Sequence, residues 1–128
     1  MSQNQLALDL AATKQALADR GRCRQLLMNT EGNVCLDGAV GVACELEMMM
    51  PEGNYSALYK SDRAMAVIMA LAAQTSSDHQ RLFGAVGRDH EHTEAMHIVY
   101  YFNDHPNTTD QDCFDLIDKA LAEAGGLA

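Results

Sequence analysis

Residues 102–112, near the C-terminal end of the chain, constrain the fold more than any other segment. An apolar, aromatic stretch leads into an Asn-Asp pair, and Pro106 then forbids helix and pushes the preceding residue towards extended geometry. A threonine followed three residues later by an acid or amide predicts the start of a new helix. The candidate pairs are Thr109 with Asp112 and Thr108 with Gln111, the second being the standard type. The segment therefore predicts a helix end, a turn and a capped helix start.

Helical periodicity continues through most of the chain. Leu6, Leu10 and Leu17 fall on one face of a helix that we predict over residues 4–20. Further helices are predicted over residues 37–47, 62–74 with Asp62 as its cap, 90–102 and 109–124, and a short one ends near Val86. Only 5% of residues are aromatic, so Ala, Leu and Met, which favour helix, must supply much of the core. We expect a mainly α protein of five or six helices, in a single domain over residues 1–128.

Residues 24–35 do not fit the helical pattern. A short apolar run, Leu26 to Met28, precedes a segment rich in turn formers, and Val34 and Cys35 are apolar again. This order is typical of a small β-hairpin, and it also fits an irregular loop. Both interpretations stay open at the level of sequence.

Two glycines interrupt the helix predicted over residues 37–47. Gly38 and Gly41 are unfavourable inside a helix and indicate close approach by another backbone. The small face that they create suits a core contact or a dimer contact.

Charge is unevenly distributed along the chain. The net charge is −9, of which −2 lies in residues 1–64 and −7 in residues 65–128. A polyanion would be repelled by the second half, so we expect no nucleic-acid partner. The basic residues Arg20, Arg22 and Arg24 form a small cluster that we interpret as a solvated turn.

Cysteine usage and hydropathy predict a cytoplasmic protein. The chain opens on polar residues, and no apolar run is long enough to cross a bilayer, so no membrane association is expected. Thiols stay reduced in the cytoplasm. None of the four cysteines forms a Cys-x-x-Cys pattern, so we expect buried thiols rather than a zinc site.

Three adjacent methionines, Met48 to Met50, stand before Pro51. Successive helical residues point about 100° apart, so the three side chains cannot all face one core. A loop that fills gaps in the core would explain them. An exposed methionine patch can also act as an adaptable contact surface.

The histidines suggest a possible metal site. Glu94 and His97 are three residues apart, which places both side chains on one helix face, and His90 and His92 lie just upstream. Di-iron bundles use two such Glu-x-x-His pairs, whereas only one is present here. A metal-dependent hydrolase built on these four residues, with a divalent metal as its cofactor, is therefore the alternative hypothesis.

Asn103 and Asp104 form the remaining polar pair of note. Side chains of this type at a helix end can satisfy free carbonyls and amides of neighbouring turns. That structural role explains both residues. They are also candidate binding residues, and a small-ligand pocket beside them is a third hypothesis.

Three segments together resemble a known family. They are Cys35-Leu36-Asp37-Gly38-Ala39-Val40, Phe102-Asn103-Asp104, and Thr109 with the helix containing Leu116-Ile117-Asp118-Lys119-Ala120-Leu121. Their order and spacing resemble an uncharacterised family of small actinobacterial and actinophage proteins with Cys-Leu-x-Gly-Ala and aromatic-Asn-Asp segments. The methionine run and the histidine-rich residues 90–97 depart from that pattern. The resemblance implies a bacterial or phage cytoplasmic origin and no particular activity.

The preferred functional hypothesis is an interaction protein rather than an enzyme. A small acidic accessory protein would bind a host or self partner, with homodimerisation as one form of self binding. Met48, Met49 and Met50 would form the contact together with the acidic C-terminal half, and no cofactor is expected.

Overall fold

The computed structural model describes residues 3–75 and 91–125, and these residues form a mainly α fold. The described helices are α1 (Gln3–Arg20), α2 (Leu36–Ala43), α3 (Tyr55–Tyr59), α4 (Asp62–Ala73), α5 (Glu91–Asp104) and α6 (Asp110–Glu123), with a 3-10 helix at Glu47–Met49. The described segments contain no strand longer than an isolated bridge. The short helix predicted to end near Val86 lies outside the described residues. No described helix is both long and apolar enough to cross a bilayer.

Long helix α1 packs against α2, α4 and α6, and α4 also packs against α5. Apolar side chains from four helices meet without solvent exposure where these helices face one another. They include Leu10 and Leu17 of α1, Val40 of α2, Ile68 and Leu71 of α4, and Ile117 of α6. This interior follows the predicted stripes on α1, α4 and α6, so the core is built as the periodicity indicates.

The start of α6 confirms the capped helix start predicted within residues 102–112. Thr109 is the N-cap, and its hydroxyl accepts a 3.1 Å hydrogen bond from the Asp112 amide. The Asp112 carboxylate in turn accepts a 2.9 Å bond from the Thr109 amide, and these bonds lower the pKa of Asp112. The nonstandard Thr-x-x-Asp pair therefore forms the capping box, rather than Thr108 with Gln111.

Two helix boundaries differ from those predicted. The predicted helix over residues 37–47 ends at Ala43, because Glu45 has a φ of 68° that a right-handed helix cannot contain. Ser61, not Asp62, is the N-cap of α4, since its hydroxyl accepts a 3.1 Å bond from the Ala64 amide. Asp62 is the first helical residue, where its charge suits the helix dipole.

The segment between α1 and α2 is an irregular loop, so the β-hairpin interpretation of residues 24–35 was wrong. Val34 forms two isolated bridges, one parallel to Arg22 and one antiparallel to Met28. Gln25 has a φ of 70°, which breaks the extended course that a hairpin strand would need. The loop therefore turns around the fully buried Val34 instead of pairing two strands.

The glycines of α2 both permit close approach, by different neighbours. A Cβ at Gly38 would lie 1.9 Å from the Leu27 carbonyl oxygen, so another backbone does approach there, as predicted. At Gly41 the neighbour is a side chain, because a Cβ would lie 2.2 Å from the sulfur of Met50. The small face of α2 thus packs against the fold's own loop and against Met50.

Candidate functional site

A cavity of about 470 Å³ lies between α3, α5 and the loop that precedes α2. It is lined by Gln25, Tyr55, Tyr59, Met96, His97, Tyr100 and Tyr101, and we call it the tyrosine pocket. The chain contains four tyrosines in all, and every one of them lines this pocket. Two come from α3 and two from α5, so the fold brings together two pairs that are far apart in sequence.

Three of the tyrosine rings form two edge-to-face pairs. The ring centroids of Tyr55 and Tyr100 are 6.4 Å apart at an interplanar angle of 72°. Those of Tyr100 and Tyr101 are 4.9 Å apart at 87°. His97 continues the series, 6.4 Å from Tyr101 at 82°. Edge-to-face contacts of this kind are favourable, and they hold neighbouring rings at steep angles to one another.

The local sequence explains how the two tyrosines of α3 are positioned. Tyr55 and Tyr59 are four residues apart, which places them on one face of α3. That helix begins because the Asn54 side chain accepts a 3.2 Å bond from the Ala57 amide. Neither α3 nor a role for these two tyrosines was predicted from the sequence. The signal that could have found them is the i, i+4 tyrosine spacing after an Asn cap.

Gln25 closes the pocket from the loop. Its positive φ is unusual for a residue with a side chain, and its amide donates a 2.9 Å hydrogen bond to Asp104 Oδ1. This bond ties the loop to the C-terminal end of α5. A strained backbone held by a specific partner at the edge of a cavity is typical of ligand sites.

Asn103, a predicted binding residue, is completely buried beside the pocket. Its Oδ1 accepts a 3.1 Å bond from the Leu36 amide, and its Nδ2 donates to the Cys23 carbonyl at 2.9 Å and to Asp104 Oδ1 at 3.0 Å. The side chain thus joins α5, the loop and the start of α2. Asn103 and Asp104 do not line the pocket, and their contacts match the structural role expected of a helix end.

Arg22 strengthens the same junction, and the solvated-turn interpretation was wrong for this residue. Its side chain is only 6% exposed. It donates to Asp110 Oδ1 at 2.6 Å, to the Asn103 carbonyl at 2.6 Å and to the Thr108 carbonyl at 2.8 Å. The free carbonyls that end α5 and precede α6 recruit the guanidinium, because they would otherwise lack donors.

The flanking arginines of that cluster have partners as well. Arg24 is exposed yet donates to the Thr108 carbonyl at 2.9 Å. Arg20 pairs with Glu47 at 2.7 Å, at the start of the 3-10 helix. All three arginines of the cluster therefore hold neighbouring segments of the fold together.

Asp37 is a fully buried acid in the first turn of α2, and neither of its carboxylate oxygens has a hydrogen-bond partner among the described residues. Burial, and then the nearby charge of Asp104, raise the pKa of Asp37 well above its ordinary value. The helix dipole favours a charged acid at this position, but desolvation outweighs it. The structure therefore favours the neutral acid.

Burial and neighbouring acidic groups raise the pKa of two tyrosines of the pocket. Burial is the main cause that raises the pKa of Tyr55, and Cys35 and Asp37 raise it further. Burial and Asp104 likewise raise the pKa of Tyr100. The phenols of Tyr55 and Tyr100 consequently stay neutral and can donate hydrogen bonds.

The thiols are mostly buried, as expected, with one difference. Cys35, Cys44 and Cys113 are buried, and burial raises the pKa of both Cys44 and Cys113 to about 12. Cys35 is the N-cap of α2, because its sulfur accepts from the Gly38 amide at 3.3 Å. Cys23 is only partly buried. All four are free cysteines.

The methionine run divides between surface and core. Met48 is 84% exposed and Met49 41%, whereas Met50 is fully buried against Gly41. The expectation that the three cannot all face the core is confirmed. Met50 lies away from any surface contact, so only Met48 and Met49 remain candidate contact residues.

The candidate metal ligands are described only in part. His90 lies outside the described residues, and the side chain of His92 is not described. Glu94 is half-buried and His97 is exposed on α5, where it lines the tyrosine pocket. Across residues 3–75 and 91–125, no three His, Cys, Asp or Glu side chains converge as metal ligands would.

A family model matches almost the whole chain, over residues 1–123. No curated protein and no solved structure is similar enough to count as a match. The family is described as one of unknown function, in agreement with the resemblance to an uncharacterised family. The chain belongs to DUF6197, a family of unknown function.

Proposed function

We propose that this protein binds a small organic ligand in the tyrosine pocket. The observation that carries the proposal is the gathering of all four tyrosines of the chain around one cavity. Its volume of about 470 Å³ falls within the range that is usual for small-molecule sites, which are lined mainly by aromatic and apolar side chains.

The polar groups at the pocket suit recognition of a ligand. Phenol hydroxyls with a raised pKa remain protonated at neutral pH and can donate or accept hydrogen bonds. Gln25 adds an amide at the rim. Because such phenols ionise less readily, they are poor general bases, and the pocket favours binding over proton-transfer catalysis.

A thermal-shift screen against neutral, cationic and anionic small molecules would test this proposal. We expect at least one class to raise the melting temperature of the protein, since a ligand that binds only the folded state stabilises it. The shift should shrink in Tyr100→Leu, which removes the central ring, and persist in Phe114→Leu, a matched aromatic substitution on α6. Absence of any shift across all three classes, or equal shifts in both variants, would overturn the proposal.

A second proposal concerns a protein partner, host or self, and the exposure of Met48 and Met49 favours it. These two side chains are large, apolar and exposed on the 3-10 helix. Adaptable methionine side chains suit a protein contact, and the net charge of −9 suits a basic partner surface.

The double variant Met48→Ser, Met49→Ser would test the self-association form of this proposal. We expect sedimentation to show a dimer that weakens in the double variant and persists in Leu8→Ser, a control at another exposed apolar residue. For a host partner, capture with a defined basic peptide library should weaken in the same way. A monomer that binds no basic peptide would contradict the second proposal.

Three further hypotheses stay predictions. The actinobacterial or phage origin and the cytoplasmic location are two of them. The metal-dependent hydrolase is the third, and elemental analysis of the purified protein and of His97→Ala would test it, because a metal held by the cluster should be lost with His97.

A further inference from the structure

We infer that the ligand of the tyrosine pocket is an organic cation with an alkylated ammonium head. This inference rests on the proposed ligand-binding function and names the chemical class that the pocket accepts. Three features of the described residues carry it: the orientation of the rings, the sign of the surrounding charges and the size of the cavity.

The ring orientations favour a compact, rounded group. A flat aromatic ligand binds best in a slot between parallel rings, whereas Tyr55, Tyr100 and Tyr101 meet at interplanar angles of 72° and 87°. Rings at such angles turn their faces in different directions, and all three rings belong to residues that line one cavity. The negative face of an aromatic ring attracts a cation, and several faces around one ammonium group add their attraction.

The charges around the pocket favour a cation over an anion. No lysine or arginine is among its lining residues in the described parts of the chain, and His97 is the one imidazole there. Asp104 accepts a 2.9 Å hydrogen bond from the amide of the lining residue Gln25, and it lies close enough to raise the pKa of both Tyr55 and Tyr100. A nearby carboxylate attracts an ammonium ion and repels a phosphate or carboxylate ligand.

The cavity is large enough for such a group together with a short attached chain. One water molecule occupies about 30 Å³ in the liquid. The cavity volume of about 470 Å³ is more than ten times larger. A trimethylammonium head with a hydroxyl tail would place its charge among the rings. Its tail could then reach the phenol hydroxyls or the Gln25 amide at the rim.

A comparison of choline with 3,3-dimethylbutan-1-ol, its uncharged analogue of the same shape, would test the inference. The chain has four tyrosines and no tryptophan, so tyrosine fluorescence reports directly on the pocket. We expect choline to change the emission in a saturable way and to bind at least tenfold more tightly than the alcohol. A trimethyllysine peptide, titrated in parallel, would distinguish a free cation from one carried on a protein.

Substitutions at Tyr100 separate ring chemistry from packing. Tyr100→Phe keeps the ring face and should retain choline binding, whereas Tyr100→Leu should weaken it by about tenfold, a typical cation–π contribution. If Tyr100→Leu does not fold, Tyr101→Leu provides the same test at a residue that is 43% exposed. Isothermal titration calorimetry would measure binding in variants with fewer tyrosines.

The outcomes distinguish this inference from the function on which it rests. Equal binding of choline and the alcohol would overturn the cation inference and leave a ligand-binding pocket in place. The same follows if the screen finds only neutral or anionic ligands. Failure of all three compound classes to bind would overturn both.

Discussion

Asn103 and Asp37 are both completely buried polar side chains, and they differ in what surrounds them. The Asn103 carboxamide makes three hydrogen bonds to three segments of the chain. The Asp37 carboxyl makes none with any described residue. The two groups communicate through Asp104, which accepts a bond from Asn103 and raises the pKa of Asp37.

This difference separates structural roles from functional ones. Burial of a polar group costs stability unless hydrogen bonds compensate for it. Asn103 is compensated, so the fold accounts for it without a ligand. Asp37 is not compensated by any described residue, so the fold does not account for it. Asn103 therefore has a structural role. No described contact explains Asp37, which lies close enough to Tyr55 to affect the pKa of its phenol.

The largest expected effect is at Asn103. Asn103→Ala should lower the free energy of unfolding by about 3 to 5 kcal/mol, because the Leu36 amide and the Cys23 carbonyl lose their buried partner. Urea denaturation would measure the loss. Asn107→Ala, an exposed asparagine in the adjacent turn, serves as the matched control. A loss at Asn103 no larger than that of the control would show that the junction is not what holds the loop.

A smaller loss is expected at Arg22. Arg22→Met keeps much of the apolar stem but should destabilise the protein by about 2 kcal/mol, since the Asn103 carbonyl loses its guanidinium donor. Arg24 still donates to the Thr108 carbonyl, which limits the effect. Arg20→Met, at a more exposed pair with Glu47, should cost less in the same denaturation experiment. The reverse order would contradict the role of Arg22 as the central arginine of the cluster.

The smallest effect, and one of opposite sign, is expected at Asp37. Its pKa is raised in the folded state, so the native protein binds this proton more tightly than the unfolded chain does. Stability should therefore fall as the pH rises above the ordinary aspartate value of 3.8, and the penalty is removed in Asp37→Asn. We expect a gain of about 1 to 2 kcal/mol at pH 8, because an amide is neutral at every pH, whereas the buried acid must take up a proton on folding at that pH.

Unfolding curves measured from pH 4 to pH 8 would check this, with the exposed Glu52→Gln as control. The gain should shrink towards pH 4, where both forms of residue 37 are neutral in the folded protein. A destabilised Asp37→Asn at pH 8 would mean that the carboxylate has a partner there, and the contrast with Asn103 would disappear.

Local patterns predicted the described α-helices apart from α3. The turn and helix start at residues 102–112 depend on Pro106 and on the capping box of Thr109 and Asp112, so the determining residues lie within one short segment. The buried stripe of α6 follows from helical period alone, with Cys113, Ile117 and Ala120 all buried.

Features set by long-range contacts were not predictable in this way. The burial of Arg22 depends on hydrogen bonds to carbonyls that are 81 and 86 residues away in the chain. A basic cluster in the sequence does not indicate such partners. The tyrosine pocket likewise requires α3 to pack near α5, and no local signal joins their tyrosines. The end of α2 depends on one backbone angle at Glu45, in a segment whose composition still favours helix.

The junction around Asn103 also bears on the order in which the molecule can assemble. Its bonds join residues 67 to 81 positions apart, from Arg22 and Cys23 to the end of α5. Contacts between distant residues carry a loop-closure cost that helices do not. During synthesis, α1, α2 and α4 are complete before Asn103 exists. The loop over residues 22–35 therefore cannot acquire its final form until the end of α5 has been synthesised and packs against it.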